Sequence, residues 1–502
     1  MTNLAMGRRR QPVAEPAGLA TSEGEDASAA LPTLWELLNR IGMGNYQLRA
    51  QLLGGGMFLA DGAEIQTVAT ITLPLAAELG ISPAGRSSLT SVIYFGVLVG
   101  GCLSGFLGDI LGRRVPILVG FAALAVLAVI SSMAQTFTQL LVLRGLFGVF
   151  YGVGMPCWNT LAAEITPAGW RMVIAGTSQI FFQVGELYSI LITWVNDPTL
   201  AHVDWRWQLV MSALPAAVCF VLGMIFLDES PAFLALQGDH SLARQILERM
   251  RRINGSPGDS VEYRPPVPVK QTAVSTAMWH HLRTIFGPQF FWTTLTLFYS
   301  YIVINFVFYG NLYAFPQVLP DLWHFGTTPT FSMALGVITG EIPGVLLGAT
   351  VGSLMPRRMA FALYILVLAL SSLIFGLKVD EPHRSFVSWA MVMGSYLGLR
   401  FFVNFGFVIL WQYTAEVYPT VVRATGCAAA FSIGRIGAII APPIFELLQR
   451  LCHGNNQAYF TLCSVVCLMN LLPLAFLHET RGKNLSDTLE EEEDEECVPM
   501  VH

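Results

Sequence analysis

Charge is scarce in this chain: Asp, Glu, Lys and Arg make up 12% of its 502 residues, against roughly 25% in an ordinary soluble domain. That excludes a soluble enzyme. The eight cysteines show neither metal-ligand spacing nor a paired extracellular arrangement. Most of them (Cys102, Cys157, Cys219, Cys427, Cys463 and Cys467) fall inside apolar stretches, as small core residues do. No nucleophile, metal or phosphate-loop constellation is visible, so neither catalysis nor a cofactor is expected. Gly-rich runs such as GLFGVFYGVG lie within an apolar stretch and read as helix contacts. The polar, small-residue-rich start carries no recognisable cleavable signal peptide, and no nucleic-acid partner is expected.

What the chain has instead is hydrophobic length. A membrane-spanning helix needs about 20 mostly apolar residues. Twelve such stretches centre near 51–75, 89–110, 115–134, 138–162, 172–195, 206–227, 289–316, 328–354, 359–377, 386–412, 425–448 and 457–477. Basic loops stay on the cytoplasmic side. Of the 28 Lys and Arg, 20 fall on the side of the N-terminus, five on the other, and Arg144, Arg400 and Arg435 within spans. The fold class expected is therefore an all-α membrane protein of twelve transmembrane helices with both termini cytoplasmic, in the plasma membrane or an intracellular vesicle membrane.

The expected organisation runs from a largely disordered cytoplasmic segment (1–48) to a six-helix half (49–228) and a cytoplasmic loop of short helices and linker (229–288). A second six-helix half (289–478) and an acidic cytoplasmic tail (479–502) follow. The tail's like-charge block is solvated. The glycosylation sequons at Asn254 and Asn484 fall on the cytoplasmic side and read as chance matches.

The halves echo each other. AEITPAGWR (Ala163 to Arg171) and AEVYPTVVR (Ala415 to Arg423) share the pattern A-E-x-x-P-x-x-x-R, 252 residues apart. DES and HET place Glu229 and Glu479 250 residues apart, and GFLGDILGRR ending at Arg114 answers ATVGSLMPRR ending at Arg358. The protein reads as an internal duplication with two pseudo-symmetric halves.

GDILGRR, the paired A-E-x-x-P-x-x-x-R loops, DESPAFLALQGDHSLARQIL and HETRGKNL resemble the major facilitator superfamily over residues 40 to 488. FLADGAEIQTVATITLPLAAELGIS, GEIPGVLLG and GRIGAIIAPP are similar to its branch of synaptic-vesicle-protein-related, aromatic-acid, niacin and organic-ion transporters. The short loop between the first two spans lacks the large extracellular domain of animal organic-ion transporters. Ser353 and Pro356 also stand where the first half has Asp109 and Gly112. The resemblance implies a monomeric transporter in the lipid bilayer, with a small-molecule substrate in a cavity lined by spans 1, 5, 7, 8 and 11.

Two charge sets carry the functional expectation. At the cytoplasmic ends, Asp109, Arg113, Arg114, Glu164, Arg171, Glu229, Arg358, Glu416, Arg423 and Glu479 place carboxylates beside arginines. Such groups can pair across the halves when that side closes; the alternative is that they only fix topology. Gly105 and Gly112 would allow close approach and a tight turn.

Within the spans stand Asp61, Glu64, Arg144, Glu186, Glu341, Arg400 and Arg435. Each costs about 2.5–3.5 kcal/mol on insertion scales, so they must face one another or water. Arg435, with Gln179, Gln183, Glu186, Asn305 and Tyr309, is the candidate substrate site, because a guanidinium fork suits a carboxylate or phosphate. The alternative job for Arg435 is an internal salt bridge with Glu341 or Asp61. Asp61, Glu64 and Glu341 are candidate proton carriers, and Arg144 resembles the superfamily's span-4 basic residue tied to proton coupling. The expectation is a proton-coupled symporter of a small organic anion, nicotinate-like aromatic acids first. Organic-cation or sugar transport, and a nontransporting vesicle or receptor-like protein, are the alternatives.

Overall fold

The computed structural model describes residues 31–257, 261–265, 283–322, 328–380, 385–418 and 420–477. Its regular elements are helical throughout these residues. Two short helices, α1 (Leu34–Ile41) and α2 (Asn45–Gly54), come first. Six long ones follow: α3 (Gly56–Leu79), α4 (Pro83–Leu111), α5 (Arg114–Ser132), α6 (Phe137–Ile165), α7 (Arg171–Asn196) and α8 (Trp205–Phe226). After α9 (Pro231–Leu236) and α10 (His240–Asn254) comes α11 (Phe291–Val318). A composite helix is built from α12 (Pro329–Leu335), a π-turn (Gly336–Glu341) and α13 (Ile342–Leu354). The run ends with α14 (Arg357–Val379), α15 (Phe386–Val417), α16 (Thr420–Leu451) and α17 (Gln457–Met469).

Ten of these helices are long and apolar enough to cross a membrane, so the chain is an integral multi-pass membrane protein. The long helices α3 and α7 are not among the ten. They carry polar side chains along their middle turns, including Asp61, Glu64, Gln66, Gln183 and Glu186, and bury them against neighbours instead of lipid.

The boundaries follow from local chemistry. Ser82 caps α4 by accepting from Gly85 N–H, with Pro83 in the first turn. Asp204 accepts from the Arg206 and Trp207 amides at the start of α8. Gly80, at φ 62°, ends α3 in the left-handed conformation that a side chain resists. Prolines stand inside several of the long helices, among them Pro156 and Pro316, as membrane-spanning helices commonly tolerate.

In the first half of the chain α3 packs on α7, α4 on α6 and α5 on α8; in the second, α11 packs on α16, α13 on α15 and α14 on α17. The same partnerships recur six long helices later. The halves meet where α4 packs on α16, α3 on α11, and α7 on the composite helix. Within the first half, α3 and α7 touch backbone to backbone: a Cβ on Gly62 would strike the Phe182 carbonyl, and one on Gly185 the Leu59 carbonyl.

Two expectations change. The last third of the 1–48 segment is folded: Thr33 and Glu36 form a reciprocal capping box, and Leu34, Leu37, Leu38 and Ile41 give α1 a buried face. Asn254 ties this segment to α10, accepting from Tyr46 N–H (2.9 Å) and donating to Gly42 O (3.1 Å) and Gln47 Oε1 (2.9 Å). Gly105 permits no close approach, since a Cβ there would meet nothing within 4 Å. Gly112 does make a tight turn (φ 84°), and the Glu229 carboxylate occupies the space its Cβ would take. Residues 1–30 and the tail with Glu479 and Asn484 lie outside the described residues.

Candidate functional site

A cavity of about 650 Å³ runs from the middle of the bundle to the end bearing the 163–171 and 415–423 segments, where Arg171 and Ala415 line it. Its inner part is lined by Asp61 and Tyr151 from the first half and by Asn305, Tyr309 and Arg435 from the second. Arg435 donates to the Tyr309 hydroxyl (2.7 Å), and its guanidinium lies 5.7 Å from that ring's centroid. The Tyr94 ring stands 4.5 Å from the Tyr309 ring. Asp61 faces both the Tyr151 hydroxyl and Arg435. Among the described residues, however, no carboxylate comes within ion-pairing distance of Arg435.

Of the expected substrate residues, Arg435, Gln179, Asn305 and Tyr309 line this cavity and Gln183 and Glu186 do not. Gln183 and Glu186 lie deeper along α7, fully buried against the second half. Gln183 donates to Asn404 Oδ1 (3.1 Å). Glu341 is not a partner of Arg435: it contacts Arg400 directly, and Glu186 approaches the same guanidinium at 3.7 Å. The expected proton carriers therefore separate. Asp61 faces the cavity, Glu64 contacts Arg144 and accepts from Ser212 Oγ (2.7 Å), and Glu341 sits at the seam between the halves.

The cavity end carries the expected gate charges, paired within each half. Arg113 meets Glu164 and Asp109, each at 3.3 Å. The equivalent pair in the second half is Arg357 with Glu416 (2.8 and 2.5 Å), so the adjacent arginine takes the place expected for Arg358. Arg358 instead donates to Leu477 O (2.6 Å), as Arg114 does to Met224 O (2.9 Å). Glu229 accepts from the Arg113 and Arg114 amides, capping α5. Arg171 does not pair with Glu164; it donates to Thr166 O and lies over the Trp35 ring. Arg423 donates to Tyr418 O.

The opposite end is tied across the halves. Arg86 of α4 meets Glu446 of α16 (2.8 Å), which also accepts from the Tyr313 hydroxyl (2.6 Å). Ser91 donates to Ile439 O (2.6 Å) and Thr330 to Pro198 O (3.1 Å). Sequence reasoning missed Glu446. Its signal was available: an acid inside span 11, at the membrane face where Arg86 is the one basic residue of its loop.

A multi-pass helical bundle around a charged cavity, tied at one end and reached from the other, defines a membrane transporter. The chain belongs to the family described as sugar (and other) transporter, which matches residues 66–491, within the major facilitator superfamily; it is not an enzyme. Among its relatives is the synaptic vesicle 2-related protein of Bos taurus, 27% identical over 96% of this chain and 89% of that protein. The organic cation/carnitine transporter 7 of Arabidopsis thaliana is 25% identical over 91% of this chain and 96% of that protein. The fold matches the partially occluded inward-open structure of the xylose transporter XylE from E. coli with a TM-score of 0.68 at 17% identity, covering 88% of this chain and all of that one.

Proposed function

We infer that the chain is a secondary active transporter with twelve spans in two six-helix halves and cytoplasmic termini. It moves a small organic anion by alternating access, coupled to protons. One observation carries the substrate class: Arg435 lines the cavity as a permanent cation whose hydrogen-bond partner is a neutral phenol. A guanidinium in that position retains donors for a carboxylate, and the flanking Tyr94 and Tyr309 rings offer faces on which an aromatic acid can stack. Nicotinate-like acids satisfy both features. The 163–171 end, by its basic count, is the cytoplasmic one.

A cation is the second reading. Asp61 lines the same cavity, and a plant relative is described as an organic cation/carnitine transporter. The family's sugar members make glucose a necessary control, although α11 presents Tyr301, Asn305 and Tyr309 to the cavity where sugar porters are expected to use paired glutamines.

The test is uptake of labelled nicotinate, benzoate, phosphate, glucose and a quaternary ammonium into proteoliposomes, with and without an inward proton gradient, in wild type and Arg435→Gln. Gradient-stimulated anion uptake that falls roughly 10- to 100-fold in the variant is expected from losing a charged hydrogen bond of about 1.5–3 kcal/mol. Uptake of only the cation or the sugar, or normal anion uptake by the variant, overturns the anion reading.

A further inference from the structure

The seam between α7 and the second half holds a charge imbalance. Glu186 from the first half and Glu341 from the second both address Arg400, and all three are at most 3% exposed. Two carboxylates on one guanidinium leave one negative charge over. An uncompensated charge at that depth costs several kcal/mol. A proton on one carboxylate makes the group neutral.

The local geometry says which carboxylate takes it. Glu341 is in direct contact with Arg400, whereas the nearest Glu186 oxygen stands 3.7 Å away and receives no N–H or hydroxyl donor among the described residues; it faces the Glu341 carboxylate instead, to which a protonated Glu186 can donate. The other groups facing Glu186 are Asp61 from α3, Tyr94 from α4, Tyr309 from α11 and Tyr396 from α15, none of them a second cation. The backbone is shaped for the contact. Glu341 ends the π-turn, a local winding frequent at functional sites, and the adjacent Gly340 lets the composite helix approach so closely that a Cβ there would lie 2.8 Å from Arg400 Cβ. One turn away on α7, the Gln183 to Asn404 hydrogen bond crosses the same seam.

We propose that the Glu186–Arg400–Glu341 cluster is the site of the coupling proton, carried by Glu186 and set by Arg400 as the positioning residue. This rests on the proton-coupled reading above and names its site. When the seam parts, water reaches Glu186 and a hydronium ion gives up its proton to one carboxylate oxygen, leaving water. When the seam closes, the neutral cluster is buried. The site lies outside the substrate cavity, so proton and anion communicate through the packing of the halves rather than by touching.

The test begins without substrate. In infrared difference spectra of purified protein at neutral pH, Glu186→Gln and Glu341→Gln each leave one carboxylate on one guanidinium. Each should lose one protonated-carboxyl band. Arg400→Gln leaves two unpaired carboxylates and should gain a band, an opposite sign that a merely structural role would not produce. Glu78→Gln, at a half-exposed ion pair with Arg206, should change nothing. In proteoliposomes both Glu variants should cease to accumulate nicotinate against its gradient. Unchanged bands in both Glu variants, a loss in all three cluster variants, or intact accumulation in both Glu variants overturns the proposal. Wild-type uptake of all five solutes without any response to the proton gradient overturns proton coupling itself, and that result is read independently of the spectra.

Discussion

At the end of the bundle that holds Arg86, the two halves are joined by an ion pair and by the Ser91 and Thr330 hydrogen bonds, which run from one half to the other. At the end that holds Arg113 and Arg357, the ion pairs among the described residues close inside each half, and the cavity passes between them. The cavity end holds the larger number of charges and is nevertheless the open one, so number alone does not tie an end. What differs is which half supplies each partner. At the cavity end Arg113 with Glu164 and Arg357 with Glu416 join helix ends of the same half. At the tied end a single buried acid, Glu446, collects a guanidinium and a phenol from two other helices.

Breaking the tied end should have the largest effect. Glu446→Gln removes the negative charge of a mostly buried pair; discounted for the partial exposure of Arg86, about 2 kcal/mol is expected. That shifts the balance of states roughly thirtyfold. A cysteine reporter in place of the buried Thr90 should then react with an impermeant maleimide at least tenfold faster, and an unchanged rate would show that the ion pair does not hold this end shut. Ser91→Ala deletes one neutral hydrogen bond across the same seam and should raise the reporter's reactivity about fivefold, for roughly 1 kcal/mol.

At the cavity end the expectation turns around. Asp109→Asn or Glu416→Gln should leave the Thr90 reporter nearly unchanged, because their ion pairs close inside one half and do not join the two, while the transport rate falls and expression persists. Normal rates in both variants would reduce these charges to topology markers. The smallest effect belongs to Arg206→Gln. Its partner Glu78 lies at the tied end but in the same half, and both are about half exposed, so neither labelling nor transport should move beyond error.

Much of this was legible in the sequence. The apolar stretches marked the long helices, and the four-residue spacing of Tyr301, Asn305 and Tyr309 marked a cavity face that the structure retains. Spacing along one helix was a weaker guide to partners. Asp61 and Glu64 are three apart, yet one faces the cavity and the other contacts Arg144. Gln179 and Gln183 are one turn apart, yet the first meets open space and the second meets Asn404. Depth in the bundle decides between them, and depth depends on helices far along the chain, 148 residues away for Ser212 against Glu64 and 221 for Asn404 against Gln183. Periodicity carries no such information, which is why Arg400 gave no hint of its two carboxylates; Glu446 was findable only from its depth in span 11 and the lone Arg86 on the same face.

The π-turn at Gly336–Glu341 also has a bearing on descent. A π-turn holds one residue more than the α-turn it replaces, so it behaves as a one-residue insertion in an otherwise regular helix. A relative lacking that extra residue will present its next position rotated by about 100°, and an acid there would look away from the seam. Alignments of this stretch should therefore be made by geometry: a gap of one in the right column separates chains that can bring a carboxylate to the Arg400 position from chains that cannot, even where the letters appear to match.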